Sequence, residues 1–130
     1  MTGRVSATAQ WLREVVAGTG GAMSRADADA WYRARSLADL GELTARWLEG
    51  GIGSRPGYQP RCGPDVETRR LIPTLAALNR GGYLTNSSQP GEAPTVGYDG
   101  RLWSQRAAVS GFTDRATLDR IHAAMAPTCR

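Results

Sequence analysis

Thr85-Asn86-Ser87-Ser88-Gln89 is an unbroken run of neutral hydrogen-bond donors and acceptors. Such a run can hold a carboxylate, a phosphate or an amide, and an anionic ligand also needs a cation close by. Gln105-Arg106 supplies a side-chain amide and a guanidinium able to grip two anionic oxygens at once. Thr85, Asn86, Ser87, Ser88, Gln89, Gln105 and Arg106 are therefore the candidate ligand-binding residues. The competing reading is local: Asn86 and Ser87 satisfy turn backbone, Pro90-Gly91 fixes the turn, and Arg106 makes a surface ion pair.

A reaction is harder to assemble from these residue types. His122 is the only histidine and falls on the last predicted helix beside Ile121, as a solvated or core-edge side chain. Were it folded over Ser87-Ser88, with Asp119 or Asp99 orienting it, Ser88 would be a hydroxyl nucleophile and His122 its base. Those two are the candidate catalytic residues. One histidine and the distant Cys62 and Cys129 give no metal-ligand spacing, so no metal is expected. No cofactor is expected either: Gly18-Thr-Gly-Gly21 follows a predicted helix and has no Lys-Ser/Thr, which makes it a linker and not a phosphate loop. Asp27 and Asp29 fall on different sides of a helix, and Glu42 and Glu49 on an outer face, so no carboxylate pair stands out.

The elements that must position these groups follow from periodicity. Val5, Ala9, Leu12, Val15 and Val16 space as a helix that the glycines from Gly18 end. Ser24 with Asp27 and Ser36 with Asp39 are N-terminal caps of two more helices, the first carrying Trp31 and Tyr32. The second carries the stripe Leu37, Leu40, Leu43, Trp47 and Leu48, which Gly50-Gly51 stops. Trp31 and Trp47 read as core anchors. GGIGSRPGYQPRCGP, residues 50–64, holds five glycines and three prolines, so it is an irregular loop, either a mobile cover or a functional edge bordering the site. Asp65 caps a helix with Val66, Leu71, Ile72, Leu75 and Leu78 on one side, kinked or restarted at Pro73 and ended by Gly81-Gly82. The period then changes to two, with Tyr83, Thr85 and Ser87 alternating with Leu84 and Asn86. Asp99-Gly100 marks a hairpin between Val96–Tyr98 and a strand from Leu102 to Val109, on which Trp103, Ala107 and Val109 share a face. Thr113 starts a final helix with Leu118, Ile121 and Met125 inward, ended by Pro127.

Composition bounds what these elements serve. A chain of 130 residues makes one domain, with residues 1–23 as helix and linker and 24–130 as the core. No apolar run reaches the roughly 18 residues of a membrane span, and Arg13 and Glu14 interrupt the N-terminal apolar stretch, so a soluble cytoplasmic protein with free thiols is expected. The net charge of +4 comes from 16 arginines and no lysine. Only residues 101–130 are clearly basic, with five Arg against two acids, so nucleic acid is not the favoured partner.

WYRARSLADLGELTARWLEG, PDVETRRLIPTLAALNRGGYLTNSSQPG and LWSQRAAVSGF together resemble an uncharacterised domain of streptomycete-type actinobacterial proteins, over Trp31 to Phe112. The resemblance implies domain boundaries and carries no activity. The stretch around Gly82, Tyr83, Thr85, Ser88 and Gly91 is also loosely similar to bacterial and phage proteins with the outline G-F-x-T-x-x-S-C-x-G-H. Here Gln89 stands in the cysteine position and no histidine follows the glycine, so thiol or metal chemistry does not carry over.

The expected fold is α+β: N-terminal helices, a small antiparallel sheet of about three strands, and a C-terminal helix packed on it. The expected function is binding of a small polar or anionic molecule at Thr85–Gln89 and Gln105/Arg106, as a binding module or a small biosynthetic or modifying enzyme. The alternative is an accessory protein that docks on a protein or nucleic acid through its Trp/Tyr helices and arginine-rich C-terminal third.

Overall fold

Two serine caps set the first helices. In the computed structural model, which describes residues 23–126, the Ser24 and Ser36 hydroxyls accept the backbone N–H of Asp27 and Asp39 at 3.2 and 3.1 Å. They start α1 (Arg25–Arg33) and α2 (Leu37–Leu48). Gly50, at φ +84°, closes α2 in the left-handed conformation that favours glycine there. The expected helix from Val5, the linker at Gly18, Pro127 and Cys129 lie outside the described residues.

The stripe on α2 builds the core. Leu43, Trp47 and Leu48 are buried with Met23, Trp31, Ile52 and Leu75; at about 1.5–3 kcal/mol per large side chain, this cluster is the main stabilising term. Both tryptophans are core anchors, as their spacing predicts. A 3-10 helix (Val66–Leu71) runs into α3 (Ile72–Arg80), which packs on α2. Pro73 lies in the first turn of α3, where its missing N–H costs nothing, so the helix restarts there. Gly41 makes the crossing possible, since a β-carbon there would run into the carbonyl of Asn79.

Four strands follow: β1 (Tyr83–Gln89), β2 (Glu92–Val96), β3 (Leu102–Gln105) and β4 (Ala108–Thr113). β1 pairs with β4 and β2 with β3, both antiparallel, as the two halves of one long hairpin. Its turn is the expected Asp99-Gly100, with the Gly97 N–H donating to the Arg101 carbonyl at 2.8 Å. The predicted strand from Leu102 to Val109 is broken at Arg106-Ala107. The cause lies opposite, where Pro90 has no N–H to continue the ladder and Gly91 lets the backbones of Gln105 and Ala107 come close. Trp103 and Val109, predicted on one strand with Ala107, therefore lie on different strands, with Ala107 in the break. α4 (Arg115–Met125) closes the described chain, giving the α+β class expected.

Three further expectations are corrected. The final helix is capped by Asp114, one residue later than predicted, because Thr113 still pairs with Tyr83 in the sheet. Val66 is 72% exposed, since three residues per turn in the 3-10 helix carry it off the α-helical stripe. Met125 is 74% exposed: α4 is held near its start, where Thr117 is buried against Gly82, and its last turn has no such contact.

Candidate functional site

The loop after α2 is irregular, as its glycines and prolines require, but it is tied down at both ends. The Trp31 indole N–H donates to the Ser54 carbonyl at 2.9 Å, and the Trp47 indole N–H donates to the Cys62 carbonyl at 3.1 Å. Ser54 is fully buried; its N–H donates to Asp27 at 3.0 Å and its hydroxyl accepts the Arg61 N–H at 2.8 Å. These bonds hold the two ends of the loop against α1 and α2.

Arg55 projects from this loop towards β1. Its guanidinium donates to the Thr85 carbonyl at 3.0 Å and its Cζ lies 5.3 Å from the Trp47 ring centroid, a cation–π contact. Burial draws its pKa below the ordinary value, though an arginine remains charged at neutral pH. Among the described residues no carboxylate lies within ion-pair distance of it. Tyr58 packs edge-on against Trp47, ring centroids 5.3 Å apart, and donates its hydroxyl proton to Asp65. That hydrogen bond raises the pKa of the phenol and keeps it protonated. Asp65 is the N-cap of the 3-10 helix, as expected, but its side chain makes no capping bond and accepts the Tyr58 hydroxyl instead.

The opposite wall is β1, and its register decides what it presents. Thr85 pairs with Gly111 and Ser88 with Val109, which are two apart on β4, so Thr85 and Ser88 share a face. Strict alternation predicts Ser87 in that place. A bulge at Asn86 inserts the extra residue and brings Ser88, half-buried, to the cleft side. Thr85 itself is fixed by Asn79, whose amide N–H donates to its hydroxyl at 2.8 Å and whose amide oxygen accepts its backbone N–H at 3.0 Å.

Together these elements enclose a cleft of about 230 Å³, lined by Arg55, Tyr58, Asp65 and Thr68 on one side and Thr85 to Ser88 on the other, over Trp47 and Leu75. Four of the predicted residues, Thr85, Asn86, Ser87 and Ser88, are thus brought to one place. Gln89, Gln105 and Arg106 are not among its lining residues and cluster instead at the hairpin break, with Gln89 opposite Ala108 and Glu92 opposite Gln105. His122 is exposed on α4 and also outside the lining. Neither proposed orienting acid is held for it: Asp119 accepts from Arg115 at 3.1 Å, and Asp99 accepts the Arg101 N–H at 3.0 Å. Ser88 and His122 are therefore not assembled as nucleophile and base in this structure.

Sequence reasoning missed Arg55, Tyr58, Asp65 and Asn79 as individual residues. The signal for the first two was the loop itself, whose length and composition mark it as a site border. Nothing local marks Asn79, whose partner lies across the start of β1.

Among the described residues, no three His, Cys, Asp or Glu side chains converge as a metal site, and no helix is long and apolar enough to cross a membrane. No curated protein and no solved structure matches the chain. A family model does match, over residues 26–128, and it contains all three motif segments that carried the resemblance noted above. The chain therefore belongs to the family described as "Domain of unknown function (DUF6919)".

Proposed function

We propose that this domain binds a small anionic molecule in the cleft between the 53–65 loop and β1. The observation that carries the reading is Arg55: a largely desolvated guanidinium on a tryptophan face, facing a cleft, with no carboxylate partner among the described residues. Leaving such a charge uncompensated is costly, and a bound carboxylate or phosphate would supply the missing charge with bidentate geometry. The Ser88 hydroxyl and the edge of β1 at Asn86 and Ser87 offer the neutral hydrogen bonds expected of the Thr85–Gln89 run. Gln105 and Arg106 lie outside the cleft lining and are not part of this reading. The cleft contains no assembled nucleophile and base, so the support is for binding, and no reaction is assigned.

The test is a thermal-shift series with acetate, succinate, inorganic phosphate and glucose 6-phosphate on the wild type, Ser88→Ala, Arg55→Lys and Arg55→Gln. A ligand at about 100 times its dissociation constant adds about 2.7 kcal/mol, a shift of several degrees. We expect at least one anion to stabilise the wild type, Ser88→Ala to weaken the response, and Arg55→Gln to abolish it while Arg55→Lys retains part. Equal stabilisation of wild type and Arg55→Gln by the same anion would refute the reading.

A second reading, docking on a protein, is favoured by a different observation. The outer half of the hairpin exposes Val96, Tyr98, Leu102 and Trp103, the last at 60%. Its charges, Glu92 and Asp99 against Arg101, leave no basic surplus, so an apolar protein surface suits it better than nucleic acid. Trp103→Asp would abolish docking of this kind and leave the anion response untouched.

A further inference from the structure

The cleft offers a cation and a carboxylate, and that pairing narrows the ligand class, given the anion-binding reading above. Arg55, Tyr58 and Asp65 all line it. Asp65 is exposed at the mouth of the cleft, where the Tyr58 hydroxyl occupies its Oδ1 and leaves Oδ2 open to solvent or to a ligand. A simple anion would satisfy Arg55 but be repelled by Asp65, and a simple cation would suffer the reverse. A molecule carrying both charges meets neither penalty. Pro64, Leu48 and Trp47 add apolar lining, and a cleft of about 230 Å³ has room for a small molecule.

We propose that the ligand is a zwitterionic α-amino acid with an uncharged side chain, its carboxylate on Arg55 and its ammonium on the free oxygen of Asp65. Arg55 holds the carboxylate, the Ser88 side adds a hydroxyl, and Asp65 discriminates against anions that lack an ammonium group. Tyr58 positions Asp65 by occupying its other oxygen.

Isothermal titration calorimetry separates this from plain anion binding. L-alanine, L-serine and L-leucine are titrated into the wild type, together with N-acetyl-L-leucine, which lacks the ammonium, and L-leucine amide, which lacks the carboxylate. At least one free amino acid is expected to bind, and leucine to bind at least tenfold tighter than either derivative. Asp65→Asn should remove most of the preference for leucine over N-acetyl-leucine while retaining N-acetyl-leucine binding. If N-acetyl-leucine binds the wild type as tightly as leucine, and Arg55→Gln abolishes both, the zwitterion assignment fails and the anion site stands. If neither the amino acids nor the simple anions of the thermal-shift series bind, both fail.

Discussion

Replacing Asn79 by alanine tests how the helical layer is locked to the cleft wall. Asn79 is 1% exposed, and its amide donates to the Leu75 carbonyl and the Thr85 hydroxyl while accepting the Thr85 N–H. Three buried hydrogen bonds at about 1 kcal/mol each, plus about 1 kcal/mol for leaving the Thr85 N–H without an acceptor, put the loss near 4 kcal/mol. That is a large fraction of the roughly 5–15 kcal/mol by which a domain is stable. With a urea slope of about 1.5–2 kcal/mol per molar, the unfolding midpoint should fall by about 2 M. Asn86→Ala, at the exposed bulge seven residues on, is the control, with a change within about 0.5 kcal/mol. A double-mutant cycle with Thr85→Val should show a coupling of about 1–2 kcal/mol between the two positions. A loss below about 1 kcal/mol for Asn79→Ala, with the urea slope unchanged, would refute the account of Asn79 as the clamp on Thr85.

Three other outcomes follow from the packing and the caps. Gly41→Ala should destabilise by about 1–3 kcal/mol in the same urea assay, because its methyl must push the Asn79 carbonyl, and with it α3, away from α2. Trp47→Ala should cost about 3–5 kcal/mol, whereas Trp103→Ala, on the exposed half of the hairpin, should cost no more than about 1 kcal/mol; equal losses would contradict the placement of the core. Asp114 accepts the Thr117 N–H at 2.7 Å, which holds its carboxylate below the usual range, so its contribution is complete above the unfolded value and disappears as the pH falls through the folded one. The stability gap between wild type and Asp114→Ala should therefore be present at pH 7 and close in acid; a gap that widened in acid would contradict the cap.

What could be read from the sequence alone was whatever is decided within a few residues. The caps at Ser24 and Ser36, the helix restart at Pro73, the glycine stop at Gly50 and the Asp99-Gly100 turn are local chemistry, and each stands as read. The stripe on α2 was legible because helical period and burial agree. The cleft was legible on one wall only. Thr85 to Ser88 declared themselves by composition, but Arg55 meets Thr85 across thirty residues, and only the path of the 50–64 loop over Trp31 and Trp47 puts it there. The bulge at Asn86 was invisible because a run of small polar side chains has no hydrophobic alternation to betray a slipped register. The hairpin break had half a signal, in Pro90-Gly91; Arg106-Ala107 opposite breaks in response to its partner strand.

The most direct test of the central claim is a two-dimensional amide NMR titration of the full chain with inorganic phosphate and L-leucine at fixed ionic strength. The account predicts saturable shifts for at least one of them, concentrated at Arg55, Tyr58, Asp65 and Thr85 to Ser88, and lost in Arg55→Gln. Shifts centred on Gln105 and Arg106 or on α4, or no saturable shift with either probe, would contradict it.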